Sequence, residues 1–286
     1  MIGLLSWTIN RSISSVRNYS DSLSQEMLEL LLRDKSQKVR IYSIQKIESD
    51  EVPIYLESLE SMLFDNSAAI RSLARDLISS HKEVDFYKTY REELLTSQSV
   101  GSILGLSETG SAKDIDKLED ILKSNLAKKR AATLIAISNL DIDRARELAF
   151  QMLTDDSNTV KKSCLIIILK QKSSGDVEIL RSLFDKTGTE TKRFCLKTIS
   201  KYGGWSIVGD YLKAISENNS DLNSTAYMFL SSWYSYSIGL ATPQTEADRE
   251  YVIKAYEGID MENLEIPFQT KKLISRIPFI FNSKDD

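Results

Sequence analysis

A short segment recurs along this 286-residue chain at intervals of about 31 residues. In its clearest copies it holds an acidic residue, a serine two positions later, and an apolar residue followed by a basic one; Asp34 and Asp65 occupy the same place in two copies and lie 31 residues apart. Copies of the segment occupy residues 31–44, 62–75, 152–165 and 182–196, the last with one residue inserted in the turn, and residues 121–134 are a weaker copy. Each unit of such a repeat buries its apolar face only by stacking on its neighbours, so the period predicts an elongated array.

After each turn, the apolar residues recur at the spacing of one helix face. In one copy they are Val160, Cys164, Ile167 and Ile168. This spacing predicts a helix rather than a strand. Ser36, Ser67 and Ser157 stand where this second helix begins, so we expect their hydroxyl groups to accept from its unpaired N–H groups.

A first helix is predicted before each turn, and the chain is therefore expected to be all-α. The predicted first helices are 22–33, 51–64, 83–95, 114–123, 143–153, 176–184 and 205–216. Only 11 glycines and 4 prolines are present, which favours helices over turn-rich strand folds. The predicted organisation is an N-terminal capping helix in 1–21, a repeat array over 22–236, and C-terminal capping helices with a tail in 237–286.

The turn signature resembles the HEAT family of helical repeats. The residues that carry the resemblance are Asp34 with Val39 and Arg40, Asp65 with Ile70 and Arg71, and Asp155 with Val160 and Lys161. The short period is similar to that of bacterial HEAT-like repeats. The resemblance implies an α-solenoid, a right-handed superhelix of about seven helix pairs whose second helices line the concave face. It assigns no function, because one fold hosts many.

A basic residue follows the apolar turn position in every clear copy. These residues are Arg40, Arg71, Arg130, Lys161 and Lys192. A cation in the first turn of a helix meets the positive end of the helix dipole, so it needs a compensating anion. The family resemblance implies a ladder in which each cation contacts a turn aspartate of its own or a neighbouring repeat. The expected anions are Asp34, Asp65, Asp155 and Asp185.

A second interpretation of the same cations is a basic stripe. Lys162 and Arg193 directly follow two of them. Together, Arg130, Lys161, Lys162, Lys192 and Arg193 are candidates for contact with phosphates or with an acidic partner. Trp233, in the aromatic stretch 227–236, is a further candidate for partner binding; the alternative is that the C-terminal tail covers it.

No residue pattern typical of catalysis is visible. The chain has one histidine, His81, and two cysteines, Cys164 and Cys195, which occupy the same helix position in two copies. We expect both thiols to be buried packing groups. One histidine and two core cysteines do not make a zinc site. The prediction is therefore a protein that is not an enzyme and carries no metal or cofactor.

Charge and hydropathy limit the function classes. The net charge of −4 and a pI of about 5.4 disfavour a dedicated nucleic-acid binder. No apolar run approaches the ~18 residues of a membrane span, so no membrane partner is expected and a cytoplasmic location is assumed. We predict a scaffold or adaptor that binds another protein through the concave face. The alternative is a nucleic-acid-binding protein similar to the HEAT-like alkylpurine DNA glycosylases.

Overall fold

The structure is a computed structural model that describes residues 24–236, 244–264, 266 and 268–282. Every regular secondary-structure element in these ranges is a helix. This confirms the all-α prediction for this part of the chain. It is also consistent with an α-solenoid type of fold. The capping helix expected in residues 1–21 lies outside the described residues. None of the described helices is both long and apolar enough to cross a membrane.

The chain clusters into two compact units, with the boundary between Ala145 and Arg146, although the sequence predicts one array across it. The helices that begin in the first unit are α1 Gln25–Leu32, α2 Gln37–Ile44, α3 Val52–Met62, α4 Ala68–His81, α5 Phe86–Thr96, α6 Val100–Thr109, α7 Ile115–Ile121, α8 Ala127–Leu140 and α9 Ile142–Met152, and the boundary falls within α9. Those of the second unit are α10 Asn158–Lys170, α11 Asp176–Lys186, α12 Thr189–Ile199, α13 Ile207–Ser216, α14 Ser220–Tyr236, α15 Glu246–Glu257, α16 Phe268–Ile274 and α17 Ile277–Asn282.

In the first unit, the even-numbered helices form a continuous layer. Helix α2 packs on α4, α4 on α6, and α6 on α8. Each of them also packs on the helix that precedes it, as α4 does on α3. The contacts are made by fully buried apolar residues such as Val39, Ile70, Ile103 and Leu134. Burial of these side chains is the main favourable term for the layer.

The second unit repeats this arrangement and adds a covered end. Helix α10 packs on α12 and α12 on α14, while α11 and α13 pack beside α12 and α14. Helix α15 then packs on α13, and α17 packs on α15. Helices α2, α4, α6, α8, α10, α12 and α14 are called the second helices below, because each follows the turn in its repeat.

The turn aspartate, rather than the serine, organises the entry into α2, α4 and α10. The Oδ1 atoms of Asp34, Asp65 and Asp155 accept from the backbone N–H groups of Ser36, Ser67 and Ser157 at 2.7, 2.8 and 2.8 Å. An aspartate that accepts from the N–H two residues later closes a local turn. The repeated Asp-x-Ser sequence is therefore a turn element.

The predicted hydroxyl cap is present at Ser157, whose Oγ accepts from the N–H of Thr159 at 3.2 Å. It is wrong for Ser67, which begins α4 without a side-chain cap. There the hydroxyl oxygen instead accepts from Nε2 of Gln37 at 2.8 Å, a contact between neighbouring repeats. Ser36 likewise makes no side-chain cap for α2.

Close packing around α6 depends on two glycines. A Cβ atom at Gly101 would lie 1.8 Å from the backbone oxygen of Phe64, at the end of α3. A Cβ atom at Gly105 would lie 2.2 Å from the ring of Tyr90 on α5. These distances are far inside van der Waals contact, so α6 approaches α3 and α5 only because both positions lack side chains.

We predict that Gly101→Ala lowers the free energy of unfolding by about 3 kcal/mol, because the backbone of Phe64 has to move away. Without that clash, alanine inside a helix would stabilise by about 1 kcal/mol. Gly175→Ala is the control: Gly175 has an ordinary helical conformation with no atom near its Cβ position, and we expect a change of less than about 1 kcal/mol. Urea unfolding followed by circular dichroism measures both, and equal stabilities would contradict the packing described here.

Candidate partner-binding surface

Arg40, in the first turn of α2, connects two successive turns. Its Nε and Nη2 atoms donate to Oδ2 and Oδ1 of Asp65 at 2.8 and 3.0 Å. Its Nη1 atom donates to the backbone oxygen of Asp34 at 2.7 Å. A two-point pair of this kind holds both groups in a defined orientation. The carboxylate and the carbonyl offset the unfavourable position of a cation at a helix N-terminus.

Arg71 contacts the carbonyl of its own turn in the same way, through Nη1 and the backbone oxygen of Asp65. The next turn, near residue 97, has no aspartate, and the carboxylate is supplied instead by Glu108 of α6, which pairs with Arg71 and with Arg75. Arg130 donates from Nη1 to the backbone oxygen of Ser124 at 2.7 Å, also six residues earlier. The carbonyl contact is thus common to these three arginines.

In the second unit, the basic residue at this position also points into the structure. Lys161 is buried, and its ammonium group lies 5.9 Å from the centre of the Phe194 ring. Lys192 pairs with the carboxylate of Glu217, and its ammonium group lies 5.0 Å from the ring centre of Phe184. Contacts between a cation and an aromatic face are favourable in a partly desolvated site. Lys161 is therefore withdrawn from the basic stripe, and Lys192, whose side chain is 15% exposed, is largely occupied by these contacts.

We predict that Asp65→Ala lowers the free energy of unfolding by about 2 kcal/mol, because it removes the turn bond to Ser67 and leaves the part-buried Arg40 guanidinium without its carboxylate. Asp76→Ala, at an exposed position of α4, is the matched control and should change the stability by less than about 1 kcal/mol. Thermal and urea unfolding measure both variants. A neutral Asp65→Ala would exclude a stabilising role for this ion pair.

The exposed side of the second helices in the second unit follows the same 31-residue register as the core. Two rows of side chains cross α10, α12 and α14 in this register. The rows are Lys162, Arg193 and Ser224, and Ile166, Lys197 and Met228. Ile166 is 57% exposed and Met228 is 54% exposed, although both are large apolar side chains. We call Lys162, Ile166, Arg193, Lys197 and Met228 the second-helix surface.

The three cations of this surface differ in how firmly they are held. Lys162 is exposed and forms no ion pair with any other described residue. Arg193 is half-buried and donates to Glu190 on its own helix at 3.0 Å and to Oγ1 of Thr225 at 3.3 Å. An exposed ion pair such as that with Glu190 contributes roughly 0–1 kcal/mol, so a partner can replace it. Lys197 is half-buried, and its ammonium group lies 5.3 Å from the centre of the Phe194 ring, so Lys162 and Arg193 carry the charge that a partner can reach.

Sequence patterns identified Lys162 and Arg193 but missed Ile166, Lys197 and Met228. The repeat period could have identified them. Residues 31 positions apart occupy equivalent positions on successive second helices, on the exposed side as well as on the buried side. An exposed apolar residue is common on any protein surface, so Ile166 and Met228 were not distinguished until their exposure and helix contacts were known.

Trp233 lies in the interior of the second unit. It is 8% exposed, and its Nε1 atom donates to the backbone oxygen of Gly204 at 3.2 Å. Its ring stacks on Phe281 of α17 at 22° and meets Trp205 edge-on at a centroid distance of 5.6 Å. Helix α17 and Trp205 thus cover the ring of Trp233, which leaves it no surface on which to contact a partner.

The two cysteines are packing residues of the core, and the single histidine lies on the surface. Cys164 and Cys195 are completely buried, and burial raises the pKa of both thiols to about 12. His81 is exposed at the last turn of α4. Among the described residues, no cluster of three or more His, Cys, Asp or Glu side chains is arranged to hold a metal ion.

We predict that both thiols are protected from the disulfide reagent DTNB in the native protein at pH 8. A pKa near 12 leaves on the order of a thousandfold less thiolate than in an exposed cysteine, and burial also blocks access. Two thiols per chain should react at once in guanidinium chloride. Rapid native labelling of either cysteine, located with Cys164→Ser and Cys195→Ser, would contradict the burial.

No family model matches the chain, and no curated protein matches it either. Among solved structures, the chain is similar to the X-ray structure of YibA from Escherichia coli, with a TM-score of 0.45 and 13% sequence identity over 86% of this chain and 95% of that one. A likeness this distant carries no argument about the site, which rests on the contacts described above.

Proposed function

We propose that this protein is a non-enzymatic scaffold or adaptor that binds another protein through the exposed side of its second helices. The supporting observation is the second-helix surface, in which two large apolar side chains, Ile166 and Met228, stand exposed in register with basic residues. Protein interfaces place large apolar side chains among polar and charged ones. Helices α10, α12 and α14 pack side by side and carry these side chains on one face.

The proposal includes the architecture that the HEAT resemblance implies: a right-handed superhelix of about seven helix pairs with the second helices on its concave side. Its support is the side-by-side packing of second helices within each unit and the Arg40–Asp65 contact between turns. Repeat arrays of this type commonly bind partners on an extended face. A cytoplasmic location and the absence of a cofactor are also parts of the proposal.

The alternative, nucleic-acid binding, is supported by the exposed Lys162 and the half-buried Arg193 and Lys197 on neighbouring helices. It is the weaker candidate for two reasons. Lys161 and Lys192 are held inside the repeat contacts, and the buried Trp233 is not available to stack on a base. The glycosylase-like version of this alternative depends on an aromatic contact of that kind.

The test is partner capture from the source organism with tagged protein, in nuclease-treated and untreated halves. We expect a stoichiometric protein that survives nuclease and is lost with the double change Ile166→Asp and Met228→Asp. Both residues are exposed, so the variant should fold. Ile179→Asp, at a 44% exposed position on α11, is the matched control and should retain the partner.

Capture of nucleic acid would favour the alternative if it weakens steeply with salt, since phosphate contacts release counterions. It should then be lost with Lys162→Glu and Arg193→Glu. A protein partner that binds equally well to the Ile166→Asp, Met228→Asp variant would mean that the second-helix surface is not the binding site.

A further inference from the structure

We infer that the second-helix surface recognises an acidic and apolar polypeptide segment, in which carboxylates stand beside large apolar side chains. This inference rests on the proposed function, because it specifies the chemistry of the partner that the same surface takes. It goes beyond that proposal by excluding partner segments that are basic or purely polar.

The spacing of the helices sets the distances between the charged and the apolar side chains of this surface. Lys162 and Ile166 are one turn apart on α10, which separates them by about 6 Å along the helix axis. Neighbouring packed helices are about 8–10 Å apart, so Arg193 and Lys197 of α12 repeat this pair at that distance. A bound segment therefore contacts the row of Lys162, Arg193 and Ser224. One turn further along the helices it contacts the other row, which has Ile166 at one end and Met228 at the other.

The charge of the surface is one-sided within these two rows. The rows hold three cations and no carboxylate. The nearest acids in the register, Glu190 and Asp221, lie one turn toward the helix N-termini. From the N-termini of the helices onward, the surface therefore has an acidic edge, then the row with Lys162 and Arg193, then the row with Ile166 and Met228. A partner segment is oriented by this order, with its carboxylates over Lys162 and Arg193 and its apolar groups over Ile166 and Met228.

The corresponding face of the first unit lacks this combination. On α4 the exposed residues include Ala69, Ser72 and Asp76, and on α8 the residue in register with Ile166 is the half-buried Ile135. Exposed lysines occur there singly, as Lys38 on α2 and Lys128 on α8. The basic and apolar rows are thus a local property of the second unit, which makes the first unit an internal control.

The observations favour a polypeptide over other occupants. Ile166 and Met228 contribute apolar contact area but no planar ring on which a base could stack, as single-stranded nucleic acid requires. An apolar anchor with a charged border is the usual composition of a protein interface. The chain itself is acidic, with a net charge of −4, so a second copy is an occupant that the experiment must also address.

The experiment measures fluorescence anisotropy of labelled probes mixed with the full chain. The probes are a short synthetic peptide of Glu and Leu, the same peptide with Ser in place of Leu, the same peptide with Lys in place of Glu, and a single-stranded oligodeoxynucleotide. We expect binding of the Glu/Leu peptide at least tenfold tighter than that of the other three. Lys162→Glu with Arg193→Glu should weaken it at least tenfold, whereas Lys38→Glu with Lys128→Glu, an equal change of net charge in the first unit, should not.

The inference is overturned if the Glu/Leu peptide binds no better than the Lys/Leu peptide, or if the Lys162→Glu, Arg193→Glu variant binds it normally while circular dichroism shows both proteins folded. Preferential binding of the oligonucleotide would move the surface to nucleic acid. A dimer in analytical ultracentrifugation that is lost with Ile166→Asp and Met228→Asp would overturn the inference and assign the surface to a second copy. A captured protein partner that depends on Ile166 and Met228 but not on Lys162 and Arg193 would refute this inference and leave the scaffold proposal intact.

Discussion

Arg40 connects the first two turns of the described repeats, those of Asp34 and Asp65, and both turns depend on this contact. The guanidinium group donates to the backbone carbonyl of Asp34 in its own turn and to the carboxylate of Asp65 in the next, at 2.7 to 3.0 Å. A cation at the start of a helix is unfavourable by itself. It becomes favourable here because the preceding helix ends at the same place and leaves carbonyl groups to be satisfied. One side chain thereby stabilises two helix ends and sets the position of the neighbouring repeat.

That contact also decides which side chains remain available for binding. Successive residues of a helix point about 100° apart, so a residue directed into the turn is followed by one directed away from it. Lys161 is buried against Phe194, while Lys162, the next residue, is exposed. The pair Lys192 and Arg193 divides in the same way, although less completely. The apparent basic stripe is therefore two features, a structural row that faces inward and a partly exposed row that can bind.

Much of the fold and part of the candidate site could be predicted from the sequence. The helix faces and turns followed from the spacing of apolar residues, because a helix buries one face whatever its neighbours are. Lys162 and Arg193 were identified from their place in the repeat. Ile166, Lys197 and Met228 were not, because exposure depends on which neighbouring helices cover a residue. Trp233 was proposed for binding on its aromatic character, yet α17 covers it.

The sequence by itself determined the period, the all-α class and the position of the turn aspartates, since each follows from local spacing and hydrogen-bonding capacity. Only the tertiary structure decided which residue replaces a turn aspartate that is missing from a repeat. Where the turn near residue 97 lacks an aspartate, Glu108 from α6 supplies the carboxylate to Arg71. Gly101 permits the approach of α6 to Phe64 within the same unit. These contacts join residues 37 positions apart in each case, a separation at which sequence spacing carries no information about distance.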